Sequence, residues 1–313
     1  MSWPPKTDLW QVGVVPAPIE AVCDRWGLAA QRERIAWLPD PGPWRYLADP
    51  FGRQHRGATH VFVEAFDYRT KHGVIEHHEF GPGLAWRGSE VALARPQHLS
   101  YPFLVEEDGE VFMIPECHRA GEVVLYRARK FPGDWVRETT LLTGVPAAEP
   151  SLIRHDGQWW MFFTLVGAGQ RDQRELHAAH ATQLTGPWMR HPLNPIFEDR
   201  AGARPGGTPF VGTDGRIVLP VQDCSDSYGG ALRFLRFHTL ERDQIVADHV
   251  GPRLTGDLVS ASHGDGFHTL SRCGELTLFD VKRIDRSWGR SVLDWRRRAN
   301  RWTSRLRGRP AAA

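Results

Sequence analysis

Residues 101–116 read Tyr-Pro-Phe-Leu-Val-Glu-Glu-Asp-Gly-Glu-Val-Phe-Met-Ile-Pro-Glu. An X-Pro step, Tyr101-Pro102, opens an apolar run. Asp108-Gly109 breaks it, and a second apolar run, Val111-Phe112-Met113-Ile114, leads to Glu116. Asp-Gly between two apolar runs is the strongest short hairpin signal. Proline is tolerated at the first residue of a strand, where a missing donor costs least. The unit is therefore a hairpin that begins and ends at the same sheet edge.

The unit recurs. Asp49-Pro50, Glu149-Pro150 and Thr208-Pro209 repeat the X-Pro step, and Asp156-Gly157 and Asp214-Gly215 repeat the turn. Gly57, Gly109, Gly157, Gly215 and Gly274 each lead through a short apolar strand that ends seven residues on, at Glu64, Glu116, Thr164, Gln222 and Val281. These glycines stand 52, 48, 58 and 59 residues apart. A period near 50 with two or more strands per unit predicts a propeller. Third strands follow at residues 123–126 and 232–237. The fifth copy, Phe267-His268-Thr269-Leu270 before Cys273-Gly274, lacks the proline, and residues 10–15 are the expected closing strand of that blade. The predicted fold is all-β: a five-bladed β-propeller over residues 1–285, followed by a basic amphipathic helical tail over 286–313.

The chain has 313 residues, 41% of them apolar, which is ample for one propeller domain. Most of its 13 tryptophans are expected between blades, with a minority free to stack on sugar rings. Met1-Ser2-Trp3-Pro4-Pro5-Lys6 has no basic region before an apolar core, and no stretch reaches membrane-span length. Cys23, Cys117, Cys224 and Cys273 lack Cys-x-x-Cys spacing. A cytoplasmic chain with reduced thiols is the resulting expectation.

The net charge of +2 hides an asymmetry. From Lys282 onward there are eleven Lys and Arg against Asp285 and Asp294, a net of +9, whereas residues 1–281 carry −7. Trp288, Val292, Trp295, Ala299, Trp302 and Leu306 step by four and three, placing one apolar stripe on a helix among arginines. Such a helix suits the interface of an anionic membrane, with Trp288, Trp295 and Trp302 as anchors. Alternatively, it packs on the acidic propeller's flank. A nucleic-acid arm is disfavoured because the body is acidic.

At the X-Pro slot the blades present Asp49, Tyr101, Glu149 and Thr208, and the second strands return Glu64, Glu116, Gln222 and Asp223 to the same rim. Paired carboxylates are the minimum for glycosidic bond chemistry, one as base or nucleophile and the other as acid.

Several stretches together resemble a known family. They are Asp49-Pro50-Phe51, Tyr101-Pro102-Phe103, Phe112-Met113-Ile114-Pro115-Glu116 and Leu125-Tyr126-Arg127-Ala128. Others are the run from Gly157 to Thr164, Leu184-Thr185-Gly186-Pro187-Trp188 and Ala203-Arg204-Pro205-Gly206-Gly207. The last are Gln222-Asp223-Cys224-Ser225 with Tyr228-Gly229-Gly230, and Phe267-His268-Thr269-Leu270-Ser271. They are similar, over roughly residues 45 to 283, to the N-terminal domain of glucosamine inositolphosphorylceramide transferases and its bacterial stand-alone relatives. That domain is distantly similar to the propellers of glycoside hydrolase families 43 and 32. The resemblance implies a carbohydrate context before it implies a reaction, since the family's transferase chemistry is assigned to another domain. It implies Asp49 as general base or nucleophile. Glu149 falls at the third-blade acidic position, Tyr101 replaces a second-blade aspartate, and Arg204 or Thr208 stands where family 43 has its acid. Neither hydrolase triad is intact, and Glu116 is the candidate substitute. His268 resembles a last-blade histidine beside a central metal or water.

The resulting catalytic candidates are Asp49, Glu149 and Glu116. The substrate-binding candidates are Tyr101, Glu64, Arg204, Thr208, Gln222, Asp223, Tyr228 and His268. The favoured expectation is glycosyl transfer in surface polysaccharide or glycolipid assembly at the cytoplasmic membrane face. A furanosidase-like hydrolase using Asp49 and Glu149 is the alternative, and a non-catalytic glycan-binding propeller the second. No nucleotide-cofactor motif is present, and Gly206-Gly207 alone does not place phosphates.

Overall fold

Arg56-Gly57, Asp108-Gly109 and Asp156-Gly157 all have positive φ at both residues, as a type I′ hairpin requires. Each joins the two innermost strands of a blade. The computed structural model describes residues 6–306, and the side chains of residues 6–297. Five antiparallel sheets surround one axis.

Blade one runs Arg45–His55, Ala58–Asp67, His72–Phe80 and Trp86–Leu93 from axis to rim. Blade two runs Ser100–Glu107, Glu110–Glu116, Glu122–Lys130 and Gly133–Thr143. Blade three is built on Ala147–His155, Gln158–Leu165 and Glu175–Ala181. In blade four the inner strand is split into Arg204–Pro205 and Phe210–Val211, followed by Ile217–Asp223, Ala231–Leu240 and Ile245–Leu254. Blade five takes Gly266–Cys273 and Leu276–Asp285 from the end of the body, then Thr7–Val15 from its start. Joining both ends of the body in one sheet closes the ring.

The blades meet through five apolar clusters. Phe62 and Ile75 of blade one meet Met113 and Tyr126 of blade two. Phe103 and Leu125 of blade two meet Met161 and Phe163 of blade three. Trp160 and Phe162 then face Leu219 and Phe237, and Phe234 of blade four faces Phe267 and Phe279 of blade five. Val12, Val14 and Leu278 pack on Leu47, Val61 and Phe80, joining blade five to blade one. Each fully buried side chain of this size contributes about 1.5–3 kcal/mol, so every interface is a core of its own. Trp37, Trp135, Trp159, Trp160 and Trp188 pack in these interfaces, whereas Trp26 and Trp86 are exposed.

The tail forms a helix, Gly289–Leu306. Its Arg290 guanidinium lies 5.0 Å over the Tyr68 ring, and Asp294 pairs with Lys71 at 3.6 Å. Trp288, Val292 and Trp295 remain 50%, 48% and 69% exposed. Trp302 lies outside the residues whose side chains are described. No helix among the described residues is long and apolar enough to cross a membrane.

Blades four and five are tied by a parallel bridge between Gly207 and Leu270. Gly207 has φ 140, and a Cβ there would stand 1.8 Å from the Leu270 carbonyl oxygen. Gly207→Ala is therefore expected to lower unfolding free energy by roughly 3 kcal/mol or more. A denaturation midpoint unchanged from the parent would contradict this closure.

Candidate functional site

Three of the four X-Pro slots do not open strands, as the sequence suggests, but lie inside them at β-bulges. Pairing in blade one runs to Ala48↔Glu64 and resumes at Phe51↔Phe62. Blades two, three and five skip likewise at Tyr101-Pro102, Glu149-Pro150 and His268-Thr269. A bulge leaves a residue out of the ladder, and proline has no N–H to place in it. Asp49, Tyr101 and Glu149 take left-handed φ of 51, 46 and 55. That conformation costs about 1–2 kcal/mol for a residue with a Cβ.

Two of the freed N–H groups are captured by a carboxylate from the preceding blade. Asp49 N–H donates to Asp280 Oδ2 at 2.8 Å, and Glu149 N–H donates to Glu116 Oε2 at 3.1 Å. Hydrogen bonds to charged groups contribute about 1.5–3 kcal/mol, enough to offset the strain. The bulges then turn Asp49 and Glu149 into the channel, where they are 4% and 1% exposed.

Around Asp49 stands a relay. Thr269 Oγ1 donates to Asp49 Oδ1 at 3.0 Å, and His268 Nε2 lies 3.7 Å from the same oxygen. His268 Nδ1 is 2.8 Å from Asp280 Oδ1, which also accepts the backbone N–H groups of His268 and Thr269. The Trp10 ring stacks on His268 at 3.6 Å. Burial lowers the basicity of His268, but Asp280 and Asp49 outweigh it and raise it above the ordinary imidazole range.

Around Glu149, the Arg204 Nε and Nη2 atoms both donate to Oε1, at 3.0 and 2.6 Å. Tyr228 Oη reaches the same oxygen at 3.4 Å, and its ring lies 5.1 Å from the Arg204 guanidinium carbon. Arg204 also pairs with Asp172 at 3.1 Å. Glu149 Oε2 is buried and has no hydrogen-bond partner among the described residues. Glu116 accepts from His118 Nδ1 at 2.8 Å. Glu64 lies 3.4 Å from Tyr46 Oη and 3.3 Å from His98 Nε2. Because His98 Nδ1 accepts the Gly73 N–H, its Nε2 carries the proton toward Glu64.

Asp49, Glu64, Glu116, Glu149 and Asp280 thus crowd Arg204 and His268 in a buried space. Excess negative charge there retains protons. Burial raises Asp49 to about 6, against the pull of His268. Burial raises Glu149 to about 8, against the pull of Arg204 and with a push from Asp49. Glu64 is pushed well up by burial and by Asp49, Glu116 and Glu149. Glu116 alone goes down: burial raises it, but His118 and Arg204 outweigh burial. One site therefore holds a carboxyl ionised near neutrality beside one still protonated, a division of acid and base roles.

Other sequence candidates have different positions. Thr208 does not join the ring: it lies beside Arg53, Glu106 and Arg272 at the hairpin-turn end of the channel. Gly206-Gly207 lengthens the blade-four bulge, so Arg204, paired with Gln222, holds the level that Thr208-Pro209 was expected to hold. Tyr101 is fully buried, and its hydroxyl bonds Ser151 Oγ at 2.7 Å and accepts Gly207 N–H at 2.7 Å, closing the axis instead of lining an open mouth. Gln222 donates to the Pro205 carbonyl at 2.9 Å. Asp223 is taken up by Ser225 and Arg253 and shapes the loop that carries Tyr228. Asp280, Tyr46, His98, His118, Asp172 and Trp10 are site residues that sequence reading missed. Of these, Asp280 left a signal, as an acid inside the apolar run Leu276-Thr277-Leu278-Phe279-Asp280-Val281.

Asp49, His268 and Asp280 have ligand atoms within 4.8 Å of one another, the spacing for a cation. Their chemistry does not fit one. His268 Nδ1 faces Asp280, and both Asp280 oxygens already accept N–H groups.

Residues 38–256 match the family described as "Glucosamine inositolphosphorylceramide transferase 1, N-terminal". The chain is 33% identical over 206 residues to glucosamine inositolphosphorylceramide transferase 1 of Oryza sativa subsp. indica, covering 64% of this chain and 27% of that protein. The Arabidopsis thaliana relative is 31% identical over the same coverage. The chain thus spans only 27% of the length of these curated relatives. Among solved structures, a family 117 glycoside hydrolase from Zobellia galactanivorans superposes with a TM-score of 0.54 at 14% identity, over 80% of this chain and 88% of that one. An exo-beta-1,3-galactanase from Clostridium thermocellum gives 0.50 at 12% identity, over 66% and 50%. These likenesses show the propeller fold.

A carboxyl whose folded pKa is raised stabilises the protein fully below its unfolded value, and that stability is lost as pH rises through the folded pKa. Glu64 is such a group. Glu64→Gln, which keeps shape and removes the charge, is expected to stabilise the protein at pH 8. The gain should vanish below about pH 4, where the carboxyl is protonated in both states. Denaturant melts across this range read it, and a variant less stable than its parent at pH 8 would contradict the assignment.

Proposed function

We propose that this chain, which belongs to the family of glucosamine inositolphosphorylceramide transferase N-terminal domains, uses its axial carboxyl cluster for acid–base chemistry at a glycosidic bond. One arrangement carries the reading: equivalent bulges turn Asp49 and Glu149 into one buried space, where burial and charge push Asp49 up to about 6 and Glu149 up to about 8. Asp49, ionised above about 6, is the base or nucleophile. Glu149 carries its proton on Oε2, since Arg204 takes Oε1, and Oε2 has no partner to donate to among the described residues. A glycosidic oxygen is an acceptor suited to that donor.

Access to the cluster requires side-chain movement. Tyr228 roofs Glu149, and Trp10 covers His268. Lys282, fully buried, donates to the Tyr228 carbonyl and to Ser227 Oγ, holding the Tyr228 loop from below. A cavity of about 330 Å³, lined by Trp10, Pro39, Trp44, Arg45, His263 and Arg283, reaches Trp10 from the edge between blades five and one. Aromatic faces and guanidinium groups along this approach suit a saccharide bearing an anionic substituent.

The favoured reaction is glycosyl transfer on a saccharide or glycolipid substrate at the inner membrane face. The burial of the cluster, which limits attack by water, supports transfer over hydrolysis, while the name of the plant relatives supports the carbohydrate context alone. The hold of Arg204 on Glu149 favours a second reading, a propeller that binds a glycan without cleaving it.

Turnover separates the two. With saccharides and sugar nucleotides screened by NMR, Asp49→Asn should lower kcat/KM by about a hundredfold to ten-thousandfold while leaving binding in place. The parent's kcat/KM should rise with pH near 6, as Asp49 ionises, and fall near 8, as Glu149 does. Undiminished turnover in Asp49→Asn would refute the roles, and binding with no turnover of any substrate would select the glycan-binding reading.

A further inference from the structure

We propose that the cavity between blades five and one is a separate site for a sugar ring carrying an oxyanion, with Arg45 and Arg283 taking the charge and Trp44 taking the ring.

The walls of this cavity are stiff. One is the loop Leu38-Pro39-Asp40-Pro41-Gly42-Pro43-Trp44, which leads into blade one. Its three prolines fix φ. Asp40 Oδ1 accepts the Gly42 N–H at 2.8 Å, so this carboxylate is turned into its own loop. Arg45 N–H donates to the Gly42 carbonyl at 3.3 Å and closes the loop. Inside that turn, Trp44 takes a φ of 66. The left-handed region costs a residue with a Cβ about 1–2 kcal/mol, and strain of this kind gathers at active sites and ligand clamps. Gly289 backs the Trp44 ring, since a Cβ there would stand 2.1 Å from Trp44 Cη2. The ring is thus pinned and half-buried at the cavity.

Blade five forms the other wall. Residues 36–37 pair with its outer strand only at Gly13 and Val14, and the Val12 carbonyl accepts the Leu38 N–H. Leu9, Trp10 and Gln11 therefore bring to the cavity a strand edge with no neighbouring strand among the described residues. Such an edge presents N–H and C=O groups, which match sugar hydroxyls.

Charge selects the substituent. Arg283 is exposed and has no ion-pair partner among the described residues. Arg45 has Glu76, at 3.8 Å. A guanidinium presents a planar fork that fits a carboxylate or a phosphate. Burial and the charge of Arg283 hold His263 below the ordinary imidazole range, so a neutral ring completes the wall. At about 330 Å³ the cavity stands at the small end of ligand sites and suits a single sugar ring with its substituent.

Trp10 joins this site to the carboxyl cluster, because it lines the cavity and stacks on His268 at 3.6 Å. The oxyanion is anchored outside, while the glycosidic bond reaches inward once Trp10 moves. That placement rests on the carbohydrate reading of the cluster, whereas anion-dependent binding in the cavity does not.

The test is NMR titration of the whole chain with D-glucose, D-glucuronate, glucose 6-phosphate and inorganic phosphate. Glucuronate and glucose 6-phosphate are expected to bind about tenfold or more tighter than glucose, and the tighter of the two names the oxyanion. Inorganic phosphate, which lacks the ring, should bind about tenfold or more weaker than glucose 6-phosphate. Arg283→Gln should weaken both anionic sugars about tenfold or more, leave glucose little changed and keep the parent's thermal melt, since Arg283 is exposed. Equal affinity for glucose and its anionic derivatives would overturn the proposal. So would undiminished binding by Arg283→Gln, phosphate binding as tight as glucose 6-phosphate, or no binding of any probe. Anion-selective binding with no turnover sinks only the acid–base reading, and turnover without anion selectivity sinks only this site.

Discussion

A backbone N–H in a left-handed bulge, bonded to a carboxylate from the preceding blade, is the interaction on which this molecule's chemistry depends. It occurs as Asp49 N–H to Asp280 and as Glu149 N–H to Glu116. Without the acceptor, a non-glycine residue would leave that conformation at a saving of about 1–2 kcal/mol, and its carboxyl would return to the sheet face. Without the bulge, the acceptor would lose one of the donors that compensate its buried charge. Strain and buried charge are each unfavourable alone, and together they fix the geometry.

The same arrangement sets the electrostatics. Glu116 answers a peptide N–H and His118, so it is the carboxyl that gives up its proton readily. Asp49 and Glu64 have weaker compensation and hold theirs longer. Arg204 reaches from blade four across to Glu149 in blade three, replacing with a cation what the hydrolase-like pattern would supply as an acid. The result departs from a plain pair of catalytic carboxyls. Glu149, the proposed acid, shares an oxygen with a guanidinium, and Asp49, the proposed base, shares a histidine with a second aspartate.

The fold was legible because its signals are local. Asp-Gly turns and period-2 apolar runs act within a dozen residues, and their spacing near 50 reveals the blade. Asp49, Glu149, Glu116 and Glu64 could be grouped for the same reason, since each sits at a fixed offset from a turn glycine or a proline. Thr208 shared the X-Pro pattern and misled, because the Gly206-Gly207 insertion moves that proline further down the channel. Partners from other blades carried no local mark. Asp280 meets Asp49 across 231 residues of chain, and Arg204 meets Glu149 across 55. Tyr46 and His118 lie in the same blades as the carboxyls they touch, Glu64 and Glu116, but nothing in the residue pattern marked them.

The claim that most of this account hangs on is the division of protons between Asp49 and Glu149. Carbon-13 NMR of side-chain carboxyls, assigned through Asp49→Asn and Glu149→Gln, measures it on the free protein without any substrate. The account predicts an aspartate resonance titrating near pH 6 and a glutamate resonance titrating near pH 8. Both carboxyls titrating below about pH 5, in the ordinary range for exposed acids, would contradict it.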